Sequence, residues 1–173
     1  MKLQKATRDD FELIREIYTD IIDKTVDLEK YARWKKGMHP TDDTIMEYIM
    51  NGSMYQYRIG ESTAGVLAIT MEQGADYQEI IWGIEAQDTE VAVIHILGVN
   101  PPFQRQGIAN QMLEEAIKLA KVHGKKAVRL DSIASNTPAQ YMYQRKGFVY
   151  RGTRNQYAEN TGWTDFYYYE YIL

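Results

Sequence analysis

The stretch "NPPFQRQGIANQMLE", residues 100–114, decides how this chain is read. Pro101 and Pro102 end the strand signal before them, because proline cannot donate to a ladder. Gln104, Arg105 and Gln106 follow, then a single Gly107, and helical periodicity starts at once with Ile108. The first N–H groups of a helix have no intrahelical partner, and the helix dipole adds partial positive charge there. A strand–loop–helix junction therefore offers a cluster of donors to an anion such as a phosphate. Gly107 lets the backbone approach a ligand closely, and Ala109 keeps the first turn small. Gln104 and Arg105 can add side-chain donors. The glycine can equally serve only to shape the turn. Neither GxxxxGK[ST] nor GxGxxG is present, so this is neither a Walker loop nor a dinucleotide fingerprint.

The flanks strengthen the phosphate reading. "VAVIHILGV", residues 91–99, is a nearly continuous apolar run, as in a strand covered on both faces. Behind Gly107, the residues Ile108, Ala109, Met112, Leu113, Ala116, Ile117 and Ala120 fall on one helical stripe, and His123-Gly124 ends it. "AVRLDSI", residues 127–133, is the next strand, which makes a βαβ unit with a parallel pair and a right-handed crossover. A short helix follows, with Thr137 as N-cap, Pro138 at the first helical position, Gln140 as capping partner and Gly147 as the stop.

Upstream, residues 2–6 read as a short strand, and Thr7 to Asp10 as a capping box. Phe11, Ile14, Ile17, Tyr18, Ile21 and Ile22 then recur at helical spacing to about Lys24. Residues 25–40 are polar and irregular, and a second helix over 42–50 stops at Asn51-Gly52. Strands are expected at 54–59 and 63–71, while 72–90 carries no clear period. Strands at 148–156 and 164–173 close the chain as an antiparallel pair, the tyrosine-rich tail alternating as a strand does. The reading is one α+β domain over residues 1–173 with a mixed sheet.

Composition narrows the function. The chain has 173 residues, a net charge of −4 and 25% charged residues, ordinary values for a globular domain and without the basic excess of a nucleic-acid binder. There is no cysteine, which excludes disulfides, thiolate nucleophiles and Cys-based metal sites. His39, His95 and His123 stand far apart without ligand spacing, so no metal is expected. The N-terminus is too polar for a signal peptide, and no apolar run approaches a membrane span. The expectation is a soluble, cytoplasmic protein without membrane or nucleic-acid partners.

The segment Gln104-Arg105-Gln106-Gly107-Ile108-Ala109 resembles the Gln/Arg-x-x-Gly-x-Gly/Ala signature of the GNAT superfamily of N-acetyltransferases. Downstream, Asn136, Ala139, Tyr143 and Gly147-Phe148 match its Asn-x-x-Ala-x-x-x-Tyr-x-x-x-Gly-Phe segment at a fitting separation. The order of elements is similar over nearly the whole chain. The resemblance implies a six- to seven-stranded mixed sheet flanked by about four helices.

It also implies acetyl-CoA as donor, with no metal. Backbone N–H groups of Gln104, Arg105, Gln106, Gly107, Ile108 and Ala109 would hold the pyrophosphate, and the pantetheine arm would pair with Leu97, Gly98 and Val99. Gly98 is either a bulge that splays this strand from the next or a packing glycine. An N–H near Val99 would stabilise the oxyanion. Tyr143, in the family's tyrosine position, is the candidate general acid, or it only packs. Asn136 binds the CoA arm or caps a helix.

An alkyl amine has a pKa of about 10, so a base must take its proton near neutrality. His95 is the candidate, since some members place a histidine there and imidazole titrates in the useful range. A hydrogen-bonded core histidine is the other reading, and Glu85, Glu90 or water are alternative bases. The acceptor, a primary amine of a small molecule or peptide, would lie between 25–40, 72–90 and the last two strands, near Trp34, His39, Trp82 and Tyr157. Two rivals stand beside the enzyme: a non-catalytic acyl-CoA-binding sensor, and a nucleotide-phosphate binder. Homodimers are common in the family and are expected here on that ground.

Overall fold

The chain is described over residues 2–173 by a computed structural model. Its elements are β1 (Leu3–Lys5), α1 (Phe11–Lys24), α2 (Leu28–Ala32), α3 (Asp42–Met50), β2 (Met54–Ile59), β3 (Ser62–Thr70), β4 (Val91–Val99), α4 (Ile108–Val122), β5 (Ala127–Ile133), α5 (Thr137–Lys146), β6 (Val149–Ala158) and β7 (Gly162–Ile172). The seven strands form one sheet in the order β1-β2-β3-β4-β5-β7-β6, with β4 and β5 parallel and the other neighbours antiparallel.

The apolar stripes determine which helix covers which face. Met112, Leu113, Ala116 and Ala120 of α4 are fully buried with Leu67, Ala92, Ile94, Val128 and Leu130 of the sheet. Each large side chain buried this way contributes about 1.5–3 kcal/mol. Gly65 lets α4 approach, since a Cβ there would meet the Met112 sulfur at 2.5 Å. On the other face, Ile14, Ile17, Tyr18 and Ile21 of α1 pack with Ile45 and Ile49 of α3 on Met54 and Val66. Asp10 fixes the entry to α1, its carboxylate accepting the Thr7 N–H at 2.8 Å.

The sheet opens at its centre. β4 pairs with β5 only from Val91↔Ala127 to Val93↔Arg129, and beyond that point the strands part. Toward β3, Ala68 faces His95 and Val66 faces Gly98, so Ile96 and Leu97 together oppose Leu67 in a β-bulge. Ile96 carries the strain, with φ at +42°. The hydroxyl of buried Tyr18 holds it by donating to the Ile96 carbonyl at 2.7 Å.

The bulge therefore lies at Ile96–Leu97, and the bulge reading of Gly98 is corrected. Gly98 is a packing glycine, because a Cβ there would meet Ile21 Cδ1 at 2.7 Å. Two further corrections concern helices. Residues 25–40, expected to be irregular, contain the short helix α2. The N-cap of α5 is Asn136, with Thr137 inside the helix. Gln140 still reaches back, but to the Ile133 and Ala134 carbonyls at 3.0 and 3.1 Å. Residues 72–90 form single 3₁₀ turns at Ala75–Tyr77 and Asp88–Glu90 with irregular chain between.

That irregular segment is clamped by charge. Arg129 is 1% exposed and bonds Glu170 at 2.8 Å, Gln73 at 2.6 Å and the Ile84 carbonyl at 3.4 Å. Trp82 covers the guanidinium at 3.9 Å, and Arg151 bonds the second Glu170 oxygen at 2.9 Å. A buried pair is costly to break because the surviving charge stays desolvated. Glu170→Leu is expected to lower the urea-unfolding free energy by about 3–5 kcal/mol. The double change Arg129→Met with Glu170→Leu should cost less than the sum of the singles, as coupled sites do. Additive losses would show that the pair is not a unit.

Candidate functional site

A cleft of about 580 Å³ opens where β4 and β5 part. Its first wall is the loop between β4 and α4. Among the described residues, the N–H groups of residues 105–110 find no backbone carbonyl, and the first bond of α4 runs from the Gln111 N–H to the Gly107 carbonyl at 3.2 Å. Gly107 has φ +76°, and a Cβ added there would meet nothing within 4 Å, so its left-handed turn faces open space. Arg105 is also left-handed, at φ +61°, which turns successive N–H groups toward one concavity.

The polar side chains of the loop divide their work. Gln104 Nε2 bonds Thr25 Oγ1 at 2.8 Å and the Val99 carbonyl at 3.1 Å, so it braces the loop against α1 and β4. Gln106 Nε2 bonds the Pro102 carbonyl at 3.0 Å and lies outside the cleft lining. Arg105 lines the cleft and makes no side-chain hydrogen bond or ion pair among the described residues.

Leu97, Gly98, Val99, Ile108 and Ala109 line the same cleft. So do Asn136 and Tyr143 from the far side. Asn136 stands at the N-cap position, yet its side chain makes no capping bond. Ser132, also in the lining, has a buried hydroxyl without a partner among the described residues. Unpaired strand edge, unpaired loop amides and orphaned polar side chains suit an extended ligand bearing amides and phosphates.

Tyr143 packs on Phe148 and Tyr169, with ring centroids 6.1 and 6.0 Å away, and is 9% exposed. Burial is the main reason its pKa lies well above the usual phenol value, with Asp131 charge adding to it. The phenol therefore stays protonated at neutral pH.

His95 stacks on Tyr48 at 5.6 Å, and its Nε2 lies 3.3 Å from Thr70 Oγ1. It lines both the main cleft and a second pocket that includes Thr70. Burial lowers its pKa below 6.5, against a smaller opposing pull from Asp131. The imidazole is thus neutral near pH 7. Glu90 is held by the Gln87 N–H at 2.9 Å and by Lys126 at 2.7 Å, and neither it nor exposed Glu85 reaches the cleft.

Of the expected acceptor residues, Trp34 and His39 line the cleft, packed edge-on at 5.9 Å. Trp82 instead covers Arg129, and Tyr157 is 55% exposed beside Trp163 on the β6–β7 hairpin. The residue that sequence reasoning missed is Asp131. It lies on β5 just beyond the last β4 pairing, lines the cleft, and its Oδ1 accepts from Tyr77 OH at 2.5 Å. Its charge reaches His95, His39, Tyr48 and Tyr143. The available signal was a lone carboxylate inside the apolar run "AVRLDSI".

A model of the acetyltransferase (GNAT) family matches residues 14–148, which contain both walls of this cleft. The chain belongs to the acetyltransferase (GNAT) family. It is 36% identical over 67 residues, 39% of its own length, to an uncharacterised N-acetyltransferase of Methanocaldococcus jannaschii, of which the match spans 30%. Its fold is similar to a GNAT acetyltransferase of Listeria monocytogenes, with TM-score 0.76 and 22% identity over 99% of this chain and 94% of that one. It is also similar to a Bacillus subtilis acetyltransferase in complex with CoA, with TM-score 0.64 and 18% identity over 99% and 96%.

Gly107 gives the direct check of the loop. Gly107→Glu is expected to weaken CoA binding by roughly 100-fold or more in equilibrium dialysis, because it puts bulk and negative charge where the amides converge. Gly107→Ala should cost about 1–2 kcal/mol of stability for the left-handed turn alone. Undiminished CoA binding by the glutamate variant would place the pyrophosphate elsewhere.

Proposed function

We propose that this GNAT protein transfers the acetyl group of acetyl-CoA to a primary amine by direct attack in a ternary complex. The observation that carries this reading is the convergence of Tyr143, His95 and Asp131 on a cleft bounded by the unpaired loop amides. A module that only sensed acyl-CoA would need the loop but not these three groups. Bound acetyl-CoA would supply an activated acetyl thioester. The loop N–H groups and Arg105 would take the pyrophosphate, and the free edge of Leu97 to Val99 the amides of the arm.

The residues then have distinct tasks. Asp131 attracts the amine as ammonium. His95 accepts one proton, and the charge of Asp131 favours the imidazolium that forms. The neutral amine attacks the thioester carbonyl carbon, and an N–H at the Leu97–Val99 edge takes the developing oxyanion charge. As the C–N bond forms and the C–S bond breaks, the sulfur keeps the electron pair and Tyr143 gives it a proton. The nitrogen, which still carries two protons after the attack, loses one of them to Tyr143 by way of solvent, and this restores the phenol. The balance is ammonium plus acetyl-CoA to acetamide, CoA thiol and one released proton.

Tyr143→Phe is expected to lower kcat roughly 100-fold, within the usual range for a general acid, with acetyl-CoA affinity retained. A variant that keeps full turnover would remove Tyr143 from the chemistry.

The pH profile tests the base. The pKa of His95 is depressed, so its basic form is fully present at neutral pH and is lost only as pH falls through a value below 6.5. The acidic limb of kcat/KM should accordingly have its midpoint below 6.5, and His95→Ala should flatten it. An unchanged limb in that variant would remove His95 as the proton acceptor.

A further inference from the structure

We infer that the acceptor is a small amine with an apolar or aromatic body and no carboxylate beside the amine, so neither a free amino acid nor, for reasons of size, a protein N-terminus. This rests on the acetyltransferase reading and adds the acceptor class to it.

Three observations carry it. The first is charge. Among the described residues lining the cleft, formal charge is carried by Arg105 on the loop and by Asp131. Arg105 lies at the wall of the loop amides, so Asp131 governs the other end. His39 and His95, its neighbours there, are both driven toward neutrality by burial. An amino acid would bring its carboxylate close to Asp131 with no cation in the lining to meet it, Arg33 of the roof being exposed and engaged by the Thr161 carbonyl, and like charges in a partly dry site repel strongly. An amine without that group brings only the cation that Asp131 attracts.

The second is the wall around Asp131. Trp34 packs edge-on against both Tyr18, at 5.8 Å, and His39, at 5.9 Å. Tyr48 stacks on His95, and Phe166 lines the same cleft from β7. Tyr77 OH occupies one oxygen of Asp131, which leaves the other for a ligand. A single carboxylate set among aromatic faces suits an ammonium attached to an apolar body.

The third is a roof. Asn160 Nδ2 donates to the Arg33 carbonyl at 2.9 Å, and Arg33 Nη1 donates to the Thr161 carbonyl at 3.3 Å. Ser135 Oγ donates to the Tyr31 carbonyl at 2.9 Å. The tip of the β6–β7 hairpin and the start of α5 are thereby tied to α2. Asn160, Thr161 and Ala32 all line the cleft, so the ties run across its acceptor end. A long peptide would have to displace them, whereas a small molecule would not.

The experiment uses four acceptors that share a ring and an amine: 2-phenylethylamine, phenylalaninamide, phenylalanine and a ten-residue peptide beginning with phenylalanine. CoA thiol release is followed for each at saturating acetyl-CoA, together with direct acetyl-CoA binding. The expected kcat/KM for the first two exceeds that for the last two by about tenfold or more. Asp131→Asn should bring the ratio of phenylethylamine to phenylalanine close to one. Equal or faster turnover of phenylalanine or of the peptide overturns the inference. So does a ratio that survives Asp131→Asn. Binding of acetyl-CoA with turnover of none of the four also overturns it, while the acetyltransferase reading stands. Absence of acetyl-CoA binding defeats that reading itself, and this inference with it.

Discussion

The parting of β4 from β5 is the constraint on which the rest of the molecule depends. A parallel ladder that continued past Val93 and Arg129 would bury the edge of β4 and close the cleft. Two features prevent it. The bulge at Ile96–Leu97 bends β4 and increases its local twist. Asp131, two residues past the last pairing, carries a charge that a closed apolar ladder could not bury without a counterion. The gap leaves strand-edge amides unpaired, which is unfavourable in an isolated protein and favourable once a ligand completes the ladder.

Holding the gap open requires reinforcement, and the structure places it close by. Tyr18 ties the strained Ile96 carbonyl to α1. Arg129, the last residue of β5 paired with β4, anchors Glu170 of β7 and Gln73 of the irregular segment. The same segment carries Tyr77 to the Asp131 carboxylate. One buried ion pair thus fixes the sheet at the base of the cleft and orients the carboxylate at its acceptor end. Loss of Glu170 would therefore be felt in Asp131 as well as in stability.

Much of this was legible in the amino-acid sequence, for local reasons. The stripe from Ile108 to Ala120, the β-branched run from 91 to 99 and the glycine stops at 52, 124 and 147 act over a few residues, and they set the elements where the structure has them. What stayed hidden depends on distant partners. The bulge at Ile96 is decided by its register with Leu67 and by Tyr18, residues far away in the chain. Trp82 and Tyr157 look like pocket aromatics in isolation, but Arg129 claims one and the hairpin surface the other. Asp131 and Arg129 are two charges in one strand. Only the fold distinguishes the charge neutralised by Glu170 from the one facing the cleft. α2 is too short for periodicity to reveal it.

The central claim is that the backbone of residues 104–109, with the open edge of β4, receives acetyl-CoA. The most direct measurement is the thermal midpoint of the purified protein with and without acetyl-CoA, with ATP at the same concentration as control. A ligand that binds only the folded state at about 100 times its Kd adds roughly 2.7 kcal/mol, which is several degrees for a chain of this size. The predicted result is that rise with acetyl-CoA and none with ATP. No rise at saturating acetyl-CoA, or an equal rise with ATP, would contradict the claim.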